Sequence, residues 1–414
     1  MIKECSVNRP LIIKKNHLRS SSLSSTLKAR LKRIGTCADR VGIRMYLVGG
    51  CVRDLLLTDP VLDIDVMGEV DPGTVVSQMQ GNITHHPPYG TYTINFTDGS
   101  HIDFATARKE VYPKPAALPV VSPGSVMDDI RRRDFTVNSL LISINKKTYG
   151  YMYDYAGGYH DLKKKILRVF HRQSFMNDPT RIFRAARFMG RYGMRCEHDT
   201  AAYLAQALRS RVISRLSMKR LSNEFFRTLR EQNPQKAFDI MVEWDIMRYV
   251  DDHLAKVTWK PIDLPVSAIP DRCAWLMRHC APDQAARILE KLMIKKTIID
   301  TVVSILSAVR MLQKKQSVSD SLLEDFQNAS IYNIRLLERM PGVNKNVVRK
   351  LRHYHSARKA FLNGADLHAL GYVPGRSYGE IFRTLRRKIW EGGITRRVEA
   401  IDFIRKKFPL ERYS

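Results

Sequence analysis

The stretch from Tyr46 to Val66, YLVGGCVRDLLLTDPVLDIDV, forces two changes of local structure within a very short span. "RMYLVGG" is an apolar, β-type run that ends in two glycines. "CVRDLLL" then starts a helix, and "LDIDVMG" returns to a strand pattern. A chain that begins this way is building a small mixed α/β unit. "TYTINF", "HIDFATA" and "TYGYMYDY" supply further strands, and "PGTVVSQMQG" supplies a helix between them. The Pro-rich "YPKPAALPVVSPGS" reads as a mobile loop. From about Arg168 the pattern changes. "DPTRIFRAARFMGRYG" and nearly everything after it repeat Leu, Ile, Ala and Met at three- and four-residue spacing, so the second half is all-helical. The fold class expected is α+β, with a small mixed sheet and helices first and helices alone afterwards.

The same opening stretch carries the chemistry. Asp63 and Asp65, at i and i+2 on a strand, point to one face and repel each other unless a cation lies between them. Mg²⁺ takes a few carboxylate oxygens and leaves positions for phosphate oxygens. Gly49 and Gly50 let backbone N–H groups approach an anion at a strand-to-helix turn, and Arg53, one turn into the helix, can reach the same anion. The combination reads as a triphosphate grip beside a metal clamp.

Charge supplies the partner. The chain has 69 Lys+Arg against 41 Asp+Glu, a net charge of +28. Such a field attracts polyanions: RNA, DNA or an anionic membrane. No apolar run is long enough to span a bilayer and no strongly amphipathic basic segment stands out, so nucleic acid leads. The segment from Pro341 to Ser414 alone holds seventeen Lys/Arg against six Asp/Glu, with Tyr354, Tyr372, Tyr378 and Trp390 interleaved, which fits a surface that grips an RNA backbone. Six scattered cysteines (Cys5, Cys37, Cys51, Cys196, Cys273, Cys280) form neither a zinc pattern nor a disulfide framework, and reduced thiols in a cytoplasmic protein fit best. The Ser-rich basic N-terminus has no apolar core for a signal peptide and reads as a disordered extension.

The motif around Gly49, Gly50, Asp63 and Asp65 closely resembles that of the class II nucleotidyltransferases: the bacterial-type CCA- and A-adding tRNA enzymes and the bacterial poly(A) polymerases. Four more segments follow in the family's order. "RRDFTVN" (Arg132–Asn138) resembles its second motif, which implies that Asp134, with Arg133 and Asn138 beside it, recognises the nucleotide ribose. "DYAGGYHDL" (Asp154–Leu162) is similar to the third, a hinge between head and neck. "NDPTRIFRAARF" (Asn177–Phe188) resembles the fourth, which templates the incoming base: Asp178 and Arg181, read as i and i+3 on one helical face, would meet the base edge, with Arg184 near the triphosphate. "RLSMKRLSNEFFRTL" (Arg215–Leu229) is like the fifth, a neck-stabilising helix. Two departures stand out. Thr58 replaces a usual turn glycine, and Asn177 replaces the template glutamate of the CCA-adding signature.

The resemblance implies a disordered extension (1–27), a catalytic head (28–165), a neck with template and RNA-binding helices (166–233), a helical body (234–340) and a basic, RNA-binding helical tail (341–414). It implies attack of an RNA 3′-hydroxyl, a tRNA end first of all, on the α-phosphate of ATP or CTP. Asp63 and Asp65 would hold Mg²⁺, and Asp103 in "HIDF" is the candidate third carboxylate. Two other functions compete: poly(A) tailing by the same chemistry, kept open by Asn177, and a catalytically silent RNA-binding protein, for which the intact Asp-x-Asp has no use.

Overall fold

The computed structural model describes residues 10–61, 63–87, 90–256, 264–314, 336–349, 352 and 361–410. The chain divides into two compact units, the first formed by residues 1–228 and 233–249 and the second by 229–232 and 250–414. The expected division between head and neck is therefore not a boundary between compact units.

In the first unit, β1 (Leu11–Ile13), α1 (Ser25–Arg40), β2 (Met45–Val48), α2 (Gly50–Leu57), β3 (Asp65–Gly68), α3 (Gly73–Val76), β4 (Asn82–His86), β5 (Thr91–Asn95) and β6 (His101–Thr106) come first. β7 (Arg108–Val111), β8 (Val120–Pro123), α4 (Val126–Arg131), β9 (Leu141–Ser143), β10 (Met152–Asp154) and α5 (Gly158–Lys164) follow. Eight strands form one mixed sheet in the order β1-β10-β9-β2-β3-β6-β5-β4, in which only β3 and β6 are described as a parallel pair. α1 is capped by Ser24, which accepts the Leu27 N–H at 3.1 Å, and its Leu31, Ile34 and Ala38 recur at helical spacing and are buried.

Two expectations change here. Residues 10–27 are not a disordered extension: β1 pairs with β10, and Leu18 and Leu23 are buried. Apolar residues in a basic, Ser-rich stretch were enough to anchor it. The Pro-rich loop is also tied down. Its second half is β8, paired with β7, and the Ala116 N–H donates to the Met176 carbonyl at 3.0 Å.

Helices then continue the unit: α6 (Ser174–Asn177), α7 (Thr180–Tyr192), α8 (His198–Arg209), α9 (Met218–Leu229) and α10 (Gln235–Glu243), with the short strands β11 (Ile166–Leu167) and β12 (Arg195–Cys196) pairing in parallel. The second unit holds α11 (Ile269–Leu276), α12 (Pro282–Lys291), α13 (Lys296–Lys314), α14 (Gly364–Ala369), α15 (Arg376–Trp390) and α16 (Arg397–Lys407). Tyr354 lies outside the described residues, as does the side chain of Trp390. Tyr372 is a core residue, buried with its hydroxyl donating to the Phe408 carbonyl at 2.7 Å, so it is no part of an RNA-facing surface.

Thr58 ends α2 in the left-handed conformation, at φ 60° and ψ 20°. A β-branched residue is strained there by about 1–2 kcal/mol, which a glycine avoids at some entropic cost in the unfolded chain. Thr58→Gly is expected to stabilise the first unit by about 1 kcal/mol, read as a higher urea midpoint at unchanged slope. A lower midpoint would show that the Thr58 hydroxyl's 2.6 Å bond to the Leu57 carbonyl outweighs the strain.

Candidate active site

The glycine turn sits where β2 gives way to α2. Gly49 has φ +75°, and a Cβ there would stand 3.1 Å from the Arg133 guanidinium and 3.7 Å from the Asp65 carboxylate. This is the close approach that a glycine permits. β3 leaves the turn's far side with Asp65 as its first residue, and parallel pairing sets Asp65 directly opposite Asp103 on β6. Thr93 on β5 donates its hydroxyl to Asp103 at 2.6 Å. Asp65, Asp103, Thr93, Asp129, Arg132 and Arg133 line a cleft of about 400 Å³.

Asp63 does not share the strand with Asp65. It precedes β3 with 79 % of its side chain exposed, and reaches the cluster through His101, whose Nε2 is 3.8 Å from Asp63 and 3.9 Å from Asp103. The strand reading extended β3 by two residues, an ordinary error at an element's end.

Burial, the Asp103 carboxylate and then Asp63 push the Asp65 carboxyl above the usual aspartate range, while Arg133 and His101 pull it down. A cation here would relieve that repulsion, and the all-oxygen donors suit a hard divalent ion. The chemistry of the set therefore fits such a metal. Among the described residues, no group of three or more His, Cys, Asp or Glu side chains stands ready-made around one point.

Arg53 lies against the turn, its Nη2 3.5 Å from where a Cβ on Gly50 would stand. Its guanidinium donates to Asp54 (2.6 and 2.8 Å) and to the Asn138 side-chain oxygen (2.7 Å), and lies 5.0 Å from the ring centres of both Phe188 and Tyr192. It braces the turn from behind, and Arg133 is the cation beside Gly49. Arg133 is held by a residue that the sequence reading missed. Asp129, 1 % exposed, accepts Nε and Nη2 of Arg132 on one oxygen (2.9 and 2.6 Å) and Nε and Nη2 of Arg133 on the other (3.1 and 2.7 Å). Burial opposes its charge, but the two arginines outweigh burial and keep its carboxyl below the usual range. The signal lay in "DDIRRRD", where one aspartate precedes arginines by three and four residues on a helix.

Asp134 and Asn138 come together as expected. The Asn138 amide donates to Asp134 at 2.9 Å, and Arg184 Nε donates to its other oxygen at 2.6 Å. Burial works against the Asp134 anion, yet Arg184, Asn138 and Arg181 hold its carboxyl well below the usual range.

The template pair is arranged differently from the reading. Asp178 is extended, at φ −130° and ψ 93°, because it precedes Pro179, and α7 starts only at Thr180. Asp178 and Arg181 therefore do not share a helical face, and it is Arg181 and Arg184 that do. Asp178 accepts from Thr180 and from Arg220 Nη2 at 2.6 Å. Arg181, nearly fully buried, donates to the Ser174 hydroxyl and, at 2.6 Å, to the Arg132 carbonyl. Arg220 also donates to the Ala116 carbonyl at 2.6 Å, and on the same helix Glu224 accepts from Arg187 at 2.6 Å. The segment Asp154–Leu162 braces the head from below. Asp154 accepts three backbone N–H groups, and Gly158 allows the Thr136 carbonyl within 2.2 Å of where a Cβ would stand.

Residues 45–168 match the family model of the poly A polymerase head domain. The chain is similar in sequence to A-adding and CCA-adding tRNA nucleotidyltransferases. It is 38 % identical over 242 residues to an A-adding tRNA nucleotidyltransferase of Geobacter sulfurreducens, a match covering 58 % of this chain and 28 % of that protein. A CCA-adding enzyme of Leuconostoc citreum is 25 % identical over 381 residues, covering 88 % and 92 %. The chain thus spans little more than a quarter of the length of the Geobacter relative. A solved CCA-adding enzyme, apo form II, superposes with a TM-score of 0.68 at 24 % identity over 96 % of this chain and all of that one, which establishes the fold. Among the described residues, no helix is long and apolar enough to cross a membrane, and the described cysteines are free.

Proposed function

We propose that this chain adds C and/or A to the 3′ end of tRNA, from CTP and ATP, with release of pyrophosphate. The observation that carries the reading is the Asp65–Asp103 pair, set face to face by parallel strands beside the Gly49 turn and Arg133. The oxygen of the RNA 3′-hydroxyl bonds to the α-phosphorus as the bond to the bridging oxygen breaks and pyrophosphate leaves. Gly49 and Gly50 present backbone N–H groups to the phosphates, and Arg133 adds a fixed positive charge. Asp65 and Asp103, with Asp63, would hold Mg²⁺, which supplies charge neutralisation at the attacking and leaving oxygens. Asp134 and Asn138 orient the ribose, and Asp178, Arg181 and Arg184 read the base and the phosphates. The basic helices α15 and α16 hold the RNA backbone, and the work is done in the cytoplasm.

The A-adding relative, the more similar of the two by identity, favours addition of A to an end that already carries CC. The test uses tRNA transcripts ending before CCA, after C and after CC, each with CTP, ATP or both. One A on the CC end alone supports A addition, and three nucleotides on the first supports CCA addition. A long A tail on any RNA would replace the proposal with poly(A) polymerase.

The template reading has its own test. A site built around directed hydrogen bonds rejects wrong bases because its polar groups would be left unpaired. Arg181→Ala is therefore expected to lower the ratio of ATP to GTP incorporation on CC-ended tRNA at least tenfold, and not merely the rate. An unchanged ratio would make Arg181 a residue of the neck alone.

A further inference from the structure

The sheet register places more than carboxylates on the cleft face. Thr93 is paired with Asp103 on one side and with Thr84 of β4 on the other, so Asp65, Asp103, Thr93 and Thr84 form one row across four strands. The flanking rows run His101, Asn95, Asn82 and Ala105, Thr91, His86. Directly paired residues share a face, and successive residues along a strand alternate between faces. On the opposite face Ile94, Ile102 and Phe104 are buried at 1 % exposure or less, while Ile83 and His85 of β4 are exposed. The cleft face beyond the carboxylates thus consists of hydroxyl, amide and imidazole groups, and on β4 these are solvent-exposed.

A sheet face that needs no partner is commonly lined with Lys and Glu. This one carries no Lys, Arg or Glu among the rows from β5 and β4, only groups that donate and accept neutral hydrogen bonds. Such groups suit riboses and base edges better than phosphates. Two strand spacings separate β6 from β4, about 10 Å, which is the rise of roughly three stacked nucleotides.

We propose that this row is a landing surface for the last nucleotides of the primer RNA: the 3′-terminal ribose lies at Asp103, and the preceding ones cross Thr93 towards Thr84, Asn82 and His86. Beyond the carboxylates, the surface positions the primer and takes no part in the chemistry. The inference rests on the reading that the chain extends an RNA 3′ end, and it deepens that reading by locating the path of the primer. It also requires that the other face of β4, with His85 stacked on Tyr92 at 4.4 Å, be indifferent to RNA.

The test compares full-length wild type, the triple variant Asn82→Ala/Thr84→Val/His86→Ala, the control His85→Ala, and the triple background with Thr84→Ser in place of Thr84→Val. Steady-state addition of A gives KM for CC-ended tRNA and for ATP, and fluorescence anisotropy gives the Kd of the same RNA without turnover. The triple variant is expected to raise both the tRNA KM and the Kd roughly three- to tenfold, with kcat at saturating tRNA and KM for ATP unchanged. Thr84→Ser is expected to recover part of the loss, and His85→Ala to match wild type. An unchanged Kd and KM in the triple variant, or an equal rise in His85→Ala, overturns the landing surface. If wild type adds no nucleotide yet the triple variant weakens RNA binding, the addition reading fails and the surface stands.

Discussion

Asp65→Asn is expected to lower nucleotide addition by at least a thousandfold while raising the stability of the protein. The two effects have one origin. Asp65 faces Asp103 across a parallel pair with Asp63 nearby, so its charge is unfavourable in the folded chain until a cation arrives. Removing that charge removes the repulsion, and it also removes a ligand whose loss costs several kcal/mol of transition-state stabilisation, about 1.4 kcal/mol per tenfold in rate. The pH dependence has a definite sign. A carboxyl whose folded pKa is raised binds its proton more tightly in the folded state, so stability falls as pH rises from the ordinary aspartate value through the folded one. Wild type is expected to show that fall, reversed by Mg²⁺, and Asp65→Asn to show neither. Thermal unfolding across mildly acidic pH, with and without Mg²⁺, reads both. A variant that keeps activity within tenfold of wild type contradicts the assignment.

Asp129→Ala is expected to be the most destabilising substitution near the cleft, by about 3–5 kcal/mol, because it leaves two guanidinium groups without their buried counter-ion. The damage is not confined to stability. Arg133 loses the anchor that sets it beside Gly49, and Arg132, whose carbonyl accepts from Arg181, loses the anchor of its side chain. KM for ATP should therefore rise as well. Urea unfolding and steady-state kinetics on the remaining folded fraction measure the two effects. Asp129→Glu should recover part of each. A loss under 1 kcal/mol would mean that Glu110, 3.1 Å from Arg132, carries the network instead.

These cases mark where the sequence was legible. The glycine turn, Asp65 and Asp103 come together in the fold, whereas "LDIDV" alternates as a strand would and yet β3 begins only at Asp65, leaving Asp63 outside it. The segment Arg132–Asn138 was singled out by its resemblance to a family motif, and the fold joins its Asp134 and Asn138 by a 2.9 Å hydrogen bond. Asp129 escaped because "DDIRRRD" offers two aspartates three and four residues ahead of arginines, and only the fold shows that Asp129 is the buried one. The setting of Arg53 was not legible, since nothing local announces that Phe188 and Tyr192 would flank it. Asp178 was legible and misread: a proline directly after it ought to have ended the helical reading there. Thr93, Thr84 and Arg220 act through pairings between distant segments, and no spacing rule brings those together. Residues 10–27 read as disordered from composition, yet two buried leucines and one short strand outweigh a basic, serine-rich context.

The most direct test of the central claim is incorporation of α-labelled ATP into a tRNA transcript ending in CC, in Mg²⁺, by full-length wild type and by Asp65→Asn at matched folded concentration. The account predicts a labelled product one nucleotide longer with wild type, equimolar pyrophosphate, and no product above background with Asp65→Asn. No incorporation by folded wild type, or equal incorporation by both proteins, would contradict it.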